Sequence, residues 1–380
     1  MSNPSWEGDY AKTIVEMMRL FAQDNTVLYI ENPLTWLDVL RSQKRWAKVG
    51  LHKIIDGTNF IYVANPGPVL PINFLPHNAL YKALLRWNNG LVRRRVLRMI
   101  KNLRMDKGLI HINAFNPMLA QHTLGRMKES LNLYYCYDEI SAALYMKNHG
   151  TFLEPELLQK ADLTVVSSAG LYETKKALSK KIALVKNGVD FDLFSQGFSE
   201  EKPEQTVIGY IGSIDDRLDL ECLRLCMESH PEWSFEFIGR ITYEPAGEFL
   251  RSMPNVKLSG AHASKDLPAF LRHFSVGIIP FVKNDFTRGI YPLKINEYLA
   301  AGLPVVLSNF GILDEFRHIA SICPDKETFL IALEREVQDD SPEKRTERRE
   351  FARANAWKAR AEVLSSEIEK LEYEQEAQLG

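Results

Sequence analysis

The 380-residue chain is too long for one ordinary hydrophobic core and fits two domains of Rossmann size. Hydrophobic residues at 45%, charged residues at 25% and a net charge of −2 are typical of globular proteins in water and exclude a general attraction to nucleic acid or anionic lipid. The apolar runs fall short of the roughly 20 residues that cross a bilayer, the start lacks a signal-peptide pattern, and the cysteines suggest no disulfide framework, so we expect a cytosolic protein.

The first residues look like a Rossmann unit without its opening strand. Residues 6–10 and the amphipathic segment 11–22 are typical of a loop and its helix, yet only residues 1–5 precede them. Either the start is truncated relative to similar proteins, or the first strand is lost and the sheet begins at 26–30. Gly8 is then a candidate for close backbone approach to a ligand, and a plain turn glycine is the alternative.

Short apolar runs in the first half predict the strands of a parallel sheet. Asn113, Asn116, Asp138 and Glu139 follow two of these runs, and ligands of open α/β sheets bind at the carboxyl ends of strands. We therefore expect these four residues to border a cleft, although each one also suits a cap or a turn. The predicted strands are residues 27–30, 59–63, 109–112, 133–137, 163–166 and 182–185.

A long helix is predicted over residues 77–105, and its later half is basic and amphipathic. Such a helix, here residues 91–107, can lie on an anionic membrane surface. An ordinary solvated helix that covers a sheet is the favoured alternative. Aromatic and apolar residues nearby keep peripheral membrane contact open: Phe74, Leu75, Tyr81 and Trp87.

The second half repeats the Rossmann pattern after a polar linker at 200–205. Gly212, Ser213 and Arg217 lie in the loop that follows the first of its strands, and a cation there suits phosphate oxygens. Arg240 and His262 follow the next two strands as candidates for phosphate, ribose or base contact, with plain solvent exposure as the alternative. The predicted strands are residues 207–211, 235–238, 255–258 and 276–280.

Two possible metal patterns are discounted. Asp190 and Asp192 form a D-x-D pattern inside a linker without other metal ligands around it. Cys222 and Cys226 are one helical turn apart but lack a second ligand pair, so they read as core thiols.

The stretch 283–308 carries the strongest functional signal. Pro292 can begin a helix, Gly302 and the following proline end it, and an apolar strand follows. The N–H groups at such a helix N-terminus suit a phosphate, Lys294 adds a mobile positive charge, and Glu297 can accept from sugar hydroxyls. The alternative is an ordinary helix, turn and strand with a solvated glutamate.

Three segments resemble retaining GT-B glycosyltransferases related to family 4. PLKINEYLAAGLPVV, which begins at Pro292, resembles their donor-binding signature, closest to transferases assigned to teichuronic-acid and other cell-surface polysaccharide synthesis. KNGVDFDLF at 186–194 and VIGYIGSIDDRLDLE at 207–221 match in the expected order. Two positions depart from the pattern: Gly289 stands where many relatives have a glutamate, and Ser213 stands where an arginine is frequent.

The resemblance implies an α/β fold of GT-B architecture, with two Rossmann-like domains facing each other across a cleft. An acceptor-side domain would span residues 1–188, and a nucleotide-sugar-binding domain would span residues 189–340. Residues 341–380 would form a terminal helix that crosses back to pack on the first domain.

The implied activity is transfer of a sugar from a nucleoside diphosphate sugar, with UDP expected, to a hydroxyl of a glycan or lipid-linked glycan. Retention of configuration and independence from metal and cofactor are expected, as is a cytoplasmic location with contact at the inner face of the membrane as an option. The catalytic candidates are Arg217, Lys294 and Asp138. The donor-binding candidates are Gly8, Gly212, Ser213, Arg240, His262, Gly289, Ile290, Tyr291, Pro292, Leu293 and Glu297.

Two alternatives stay open. A UDP-sugar epimerase or hydrolase would use a carboxylate or histidine at the sugar, and Asp138, Glu139 and His111 permit it. A catalytically inactive scaffold that binds nucleotide sugar or glycan is the other, because Gly289 lacks the carboxylate of many relatives.

Overall fold

The computed structural model describes residues 1, 5–7, 13–56, 59–141, 144–201 and 203–379. Contacts divide the chain into two compact units: residues 1–186 together with 361–380, and residues 187–360. The predicted ligand-approach residue Gly8 lies outside the described residues.

The first unit contains seven strands and seven complete helices among its described residues. The strands are β1 (Leu28–Ile30), β2 (Gly50–Asp56), β3 (Asn59–Asn65), β4 (Ile110–Ala114), β5 (Leu131–Cys136), β6 (Leu163–Val166) and β7 (Ile182–Leu184). The helices are α1 (Thr13–Phe21), α2 (Trp36–Arg41), α3 (Gln43–Trp46), α4 (Ala79–Asn102), α5 (Pro117–Ala120), α6 (Leu144–Lys160) and α7 (Ala169–Lys175).

These strands form two sheets. One is the parallel sheet β4-β5-β6-β7, and the other has the order β1-β3-β2. β1 runs parallel to β3, whereas β2 pairs antiparallel with β3 over its whole length. All the strands predicted in this half are present with shifts of one or two residues at their ends, but the antiparallel β2 was not predicted.

The second unit contains six strands, which alternate with helices. The strands are β8 (Val207–Ile211), β9 (Ser234–Ile238), β10 (Val256–Gly260), β11 (Val276–Ile279), β12 (Val305–Ser308) and β13 (Ser321–Cys323). The helices are α8 (Phe191–Phe194), α9 (Leu220–Ser229), α10 (Glu244–Ser252), α11 (Leu267–Leu271), α12 (Asp285–Arg288), α13 (Leu293–Ala300), α14 (Lys326–Gln338), α15 (Pro342–Ala354) and α16 (Trp357–Leu379), which ends in the first unit.

The six strands of the second unit are all parallel, in the order β10-β9-β8-β11-β12-β13. This is the doubly wound Rossmann order, in which the direction of winding reverses between the first and fourth strands. β8 and β11 are those strands here, so the carboxyl ends of β8 and β11 define the place where a ligand site is expected.

One aromatic ring holds α13 against this central strand pair. The Tyr298 hydroxyl accepts a hydrogen bond of 2.9 Å from the backbone N–H of Ile211 at the end of β8. The Tyr298 ring lies so close to β11 that a Cβ at Gly277 would stand 2.6 Å from ring atoms. α13 therefore has a fixed position over the switch point.

Two buried arginines of α15 support α13 from the other end. Arg348 donates to the backbone oxygen of Gly302, just after α13, at 3.2 Å, and to Asp340 at 2.6 Å. Arg345 donates to the same carboxylate at 2.7 Å. Both guanidinium groups are buried, so the Asp340 carboxylate supplies the negative charge that Arg345 and Arg348 both need.

No helix within the described residues combines the length and apolarity that crossing a bilayer requires.

Asp340→Asn should destabilise the second unit. It takes the counter-charge from buried Arg345 and leaves buried Arg348 with Glu336 at 3.5 Å, and losing one partner of a buried pair typically costs about 3–5 kcal/mol. We expect a decrease of about 3 kcal/mol in the free energy of unfolding, measured by urea denaturation, with faster amide exchange in α13 and α15.

The matched control is Asp314→Asn, which breaks the exposed Asp314–Arg317 pair and should change stability by less than about 1 kcal/mol. Equal effects of the two substitutions would contradict the role assigned to Asp340.

Candidate functional site: a cationic recess at the switch point of the second sheet

Two glycines open the space above β8. Gly212 directly follows this strand with φ +124°, a conformation that favours glycine. Its N–H donates to Ile238 at the end of β9 at 2.8 Å. A Cβ at Gly239 would stand 1.8 Å from the Gly212 carbonyl oxygen, so the two loops can pass each other only because residue 239 lacks a side chain.

Lys294 fills the space below Gly212. It lies in the first turn of α13, and its Nζ is 5.1 Å from the Tyr210 ring centroid and 5.2 Å from the Phe281 ring centroid. A Cβ at Gly212 would stand 2.3 Å from Lys294 Cε and 2.6 Å from Nζ. The ammonium group is thus held at the carboxyl ends of β8 and β11, the two strands of the switch point.

Arg217 brings a second cation to the same recess. Its side chain forms a two-point ion pair with Asp215, with Nε and Nη2 at 2.8 and 2.5 Å from the carboxylate oxygens. Its guanidinium carbon lies 5.0 Å from the Phe281 ring centroid, and that ring also faces Lys294. Arg217 and Lys294 therefore share one aromatic surface.

Burial shifts the pKa values of two charged side chains in the recess, Lys294 and Glu297. Burial, and then the charge of Arg217, lower the pKa of Lys294 to about 8, while Glu297 and Asp215 act in the opposite direction. Burial raises the pKa of Glu297 to about 7, against the effect of Lys294. Both groups thus titrate close to physiological pH, because burial penalises their charged forms.

The loop before α13 only partly matches its predicted role. Gly289 and Ile290 donate their N–H groups to Phe286 and Thr287 at 3.2 and 3.1 Å, so these two predicted phosphate donors serve the end of α12. Tyr291 is buried, and its hydroxyl accepts from Asn296 at 3.1 Å. The first turn of α13, which starts at Leu293 after Pro292, still presents the positive end of a helix.

The remaining candidates of this unit lie at the carboxyl ends of neighbouring strands. Ser213 holds the Tyr210 hydroxyl through its backbone oxygen at 2.8 Å. Arg240 and His262 are exposed and follow β9 and β10. The His262 Nε2 lies 2.9 Å from the Ser259 carbonyl oxygen, so this ring is already bound to its own turn.

Asp138 belongs to the first unit, where it is half-buried after β5. Its carboxylate accepts from the backbone N–H of Glu139 at 2.9 Å. Glu139 in turn pairs with the buried Lys175 at 3.0 Å, and Lys175 also binds Glu154 at 2.8 Å. These bonds fix the loop that carries Asp138, and its catalytic role stays a prediction.

Other predicted residues have structural tasks. Asn116 caps α5 through Leu119 at 3.0 Å and is bonded to Asn113, and Asp190 caps α8 through Leu193 at 3.0 Å. His111 is buried in β4 with Nδ1 at 3.4 Å from Glu129.

Sequence reasoning missed three residues of the recess: Asp215, Tyr210 and Phe281. Asp215 stands two positions before Arg217, a spacing that permits a local ion pair but does not require one. Tyr210 is the penultimate residue of β8 and Phe281 follows the end of β11 by two residues, so their position next to Lys294 depends on the pairing of β8 with β11.

Part of the chain is similar in sequence to known glycosyltransferases. Residues 205–339 match the family described as "Glycosyl transferases group 1". A Bacillus subtilis protein assigned as teichuronic acid biosynthesis glycosyltransferase TuaH is 31% identical over 170 residues, which cover 41% of this chain and 42% of that protein. The sulfoquinovosyl transferase SQD2 of Arabidopsis thaliana is 29% identical over 177 residues and is covered to 32%. The match spans less than half the length of either relative.

Solved structures match almost the whole chain. A sucrose-phosphate synthase from Thermosynechococcus elongatus superposes with a TM-score of 0.68 at 15% identity, covering 97% of this chain and 98% of that one. A trehalose 6-phosphate synthase from Burkholderia multivorans gives a TM-score of 0.69 at 12% identity, with 98% of each chain covered. These likenesses establish the fold and confirm the predicted α/β class of GT-B type.

Gly212→Ala should remove Lys294 from its place. The new methyl group would overlap Lys294 Cε and Nζ and would force a side chain into a positive φ. We expect the affinity for UDP, measured by calorimetry, to fall at least tenfold, together with a lower melting temperature.

Gly260→Ala is the control, because Gly260 has φ +75° but open space around its Cβ position. The Gly260→Ala variant has a side chain at a positive φ but no collision with Lys294, so it should have a lower melting temperature and an unchanged affinity for UDP. A comparable loss of affinity in Gly260→Ala would show that strain, not displacement of Lys294, is responsible.

Proposed function

We propose that the protein transfers a sugar from a nucleoside diphosphate sugar to a hydroxyl acceptor, because residues 205–339 match the family described as "Glycosyl transferases group 1". UDP is the expected nucleotide, and the acceptor is a glycan or a lipid-linked glycan. The location proposed is the cytoplasm.

One observation supports this proposal most. Lys294 carries a lowered pKa beside Arg217 at the carboxyl ends of β8 and β11. A diphosphate bound there would supply the missing negative charge and raise the pKa of Lys294 again. Since cleavage of the donor places negative charge on the departing diphosphate, the same two cations would stabilise the transition state.

Arg217 and Glu297 have complementary tasks in this mechanism. Asp215 holds the Arg217 fork at the recess, and the guanidinium can exchange one carboxylate oxygen for a phosphate oxygen. Glu297 lies one turn after Lys294 and would accept from ribose hydroxyls, and these hydrogen bonds would favour its ionised form. The diphosphate would favour the charged form of Lys294.

The mechanism is proposed to retain the configuration at the sugar and to need no metal. Both points rest on the resemblance to family 4. Lys294 and Arg217 would provide the counter-charge that a divalent cation supplies in other transferases.

A catalytically inactive nucleotide-sugar-binding protein is the second candidate. Gly289 offers no carboxylate to the donor sugar where many relatives have glutamate, and its N–H is bonded within α12. Such a protein would bind the donor in the same recess without turning it over.

UDP binding tests the recess directly. At pH 7 the affinity of Lys294→Met for UDP should be at least tenfold weaker than that of the natural chain, because a point charge on the diphosphate is lost. Lys344→Met, which removes an exposed lysine of α15, is the control and should bind UDP normally.

The pH dependence follows from the pKa of Lys294. Above a pKa of about 8 the free protein holds Lys294 neutral, so UDP must bind a proton along with it. Affinity should therefore fall about tenfold between pH 7 and pH 9, and Lys294→Met should lose this dependence. A natural chain whose UDP affinity is the same at both pH values would contradict the placement of the diphosphate beside Lys294.

Turnover separates the candidates. UDP-glucose, UDP-N-acetylglucosamine and GDP-mannose are incubated with and without a glycan acceptor, and nucleotide release is measured. A transferase releases nucleotide faster with acceptor, a hydrolase releases it equally well without acceptor, and a binding protein releases none.

We further propose peripheral membrane contact through α4 and the surface beside it. α4 carries seven basic and no acidic residues, although Arg95 is used to bind the Pro66 and Pro68 carbonyl oxygens. Leu80, Trp87 and Arg94 lie on one face of α4, because they are spaced seven residues, or about two helical turns, apart. Phe74 and Phe152 are exposed to 77% and 64%, and Phe152 stacks at 4.6 Å on His77, which lies just before α4.

Replacing both Trp87 and Phe152 by serine should weaken binding to vesicles of phosphatidylcholine and phosphatidylglycerol at least tenfold in a sedimentation assay, because two rings no longer enter the interface. Tyr373→Ser removes an equally exposed ring from α16 and is the control. Unchanged binding of the double variant would contradict this surface.

A further inference from the structure

The short helices α2 and α3 turn apolar side chains to the solvent. Sixteen large apolar side chains are exposed in the described part of the chain, and four of them lie within residues 36–46. These four are Trp36, Leu37, Leu40 and Trp46. Exposed apolar side chains that form one contiguous surface mark an interaction site.

Helical geometry brings the four side chains together. At about 100° per residue, Trp36, Leu40 and Leu37 lie within an arc of about 100° of α2, and the buried Val39 lies outside this arc. The ring of Trp46 in α3 adjoins that of Trp36, with centroids 6.4 Å apart. We call the surface formed by Trp36, Leu37, Leu40 and Trp46 the α2–α3 face. Its apolar side points outward, which is the reverse of the usual arrangement of a surface helix.

Hydrogen bonds hold α2 in this orientation. The Asp38 N–H donates to Thr35 Oγ1 at 3.3 Å, and the Thr35 N–H donates to the Asp38 carboxylate at 2.9 Å. The Trp36 N–H donates to the Val69 carbonyl oxygen at 3.0 Å. Arg45 of α3 donates to the other Asp38 oxygen at 2.6 Å. Because a rotation that buried the apolar side of α2 would break these bonds, the fold itself keeps that side exposed.

The segment that carries the α2–α3 face is positively charged. Residues 36–48 contain four basic residues, all of them exposed, and one acidic residue, so their net charge is +3. The basic residues are Arg41, Lys44, Arg45 and Lys48. Glu7 pairs with Lys48 at 3.3 Å and offsets one further charge. The surface around the apolar side chains thus stays positive.

We propose that the α2–α3 face docks on an anionic lipid bilayer. Leu37 and Leu40 would enter the acyl boundary, and the two indole rings would lie at the level of the headgroups, where tryptophan is enriched. Arg41 and Lys44 would lie near the lipid phosphates. This proposal rests neither on the sugar transfer nor on the contact through α4, because other residues of the first unit carry it.

A bilayer fits this face better than a protein partner does. The core of a protein interface is depleted of charged residues, and lysine is depleted most consistently among the basic ones. Here Arg41 directly follows Leu40, and Lys44 stands two positions before Trp46. A bilayer surface accepts this mixture, because apolar side chains enter it while lysine and arginine keep their charged ends among the headgroups.

The first test is co-sedimentation of the full chain with vesicles of phosphatidylcholine and phosphatidylglycerol. Trp36→Ser combined with Leu40→Ser should weaken binding at least tenfold, because two apolar side chains no longer enter the bilayer. Leu40→Ser alone should already weaken binding, and its side chain is 78% exposed, so loss of folding does not explain the effect. Circular dichroism and the melting temperature show whether each variant is folded.

The matched control is Tyr243→Ser combined with Ile331→Ser. It removes two comparably exposed apolar side chains from the second unit and should leave vesicle binding unchanged.

The second test concerns charge. Arg41→Gln combined with Lys44→Gln should weaken binding to the mixed vesicles at least fivefold and leave the weaker binding to pure phosphatidylcholine unchanged, because only the mixed vesicles are anionic. Lys265→Gln combined with Arg317→Gln removes one exposed lysine and one exposed arginine from the second unit and should have no effect.

A dye at residue 40 reports insertion directly. Because the cysteines are buried, Leu40→Cys can be labelled selectively with the polarity-sensitive dye NBD. Its emission should rise and shift to the blue with the mixed vesicles, and lipids brominated in the acyl chain should quench it. The same dye on Ile331→Cys should not respond.

Three results would overturn the proposal. One is normal vesicle binding by the Trp36→Ser, Leu40→Ser variant, which together with a loss in the variant of Trp87 and Phe152 would assign membrane contact to α4 alone. Another is a dye at residue 40 that does not respond although the chain binds vesicles. The third is a natural chain that binds no vesicles and is a dimer, with the Trp36→Ser, Leu40→Ser variant a monomer, which would make the α2–α3 face a self-association surface.

Discussion

The second unit is organised around a positive charge that the fold places where it is poorly solvated. Lys294 stands at the carboxyl ends of β8 and β11 because Tyr298, one turn later in α13, is bonded to the end of β8. Arg217 reaches the same ring, Phe281, from the loop after β8. The result is a recess whose lysine has a pKa of about 8 and whose glutamate has a pKa of about 7. A polyanion would stabilise the charged form of Lys294, which is why we propose that the recess binds a diphosphate.

Much of this unit could be predicted from the sequence, because its signals are local. Each strand is a short apolar run followed by glycine or a polar turn, and the helix after Pro292 has both a start and an end signal in nearby residues. Once both residues lie in one helix, their spacing of three places Lys294 and Glu297 about one turn apart. The family match over residues 205–339 and the whole-chain fold agree with the resemblance in the 292–306 segment, whereas the roles of the site residues stay predictions.

The parts that escaped prediction depend on distant contacts. β2 reads as an ordinary polar segment, and it becomes a strand only because β3 lies antiparallel beside it. The N–H groups of Gly289 and Ile290 were expected to face a phosphate, but Asn284 and Thr287 form a capping box that makes residues 285–288 a short helix, and this helix takes both donors. The pairing of Arg217 with Asp215 likewise depends on how the loop folds over Phe281.

The contact between Tyr298 and Gly277 restricts how this fold can diverge. The ring occupies the volume that any side chain at 277 would need, and its hydroxyl completes the hydrogen bonding of Ile211. A larger residue at 277 is compatible only with a smaller one at 298, and that exchange would leave the Ile211 amide without its acceptor. Homologous sequences should therefore keep glycine at 277 wherever tyrosine stands at 298.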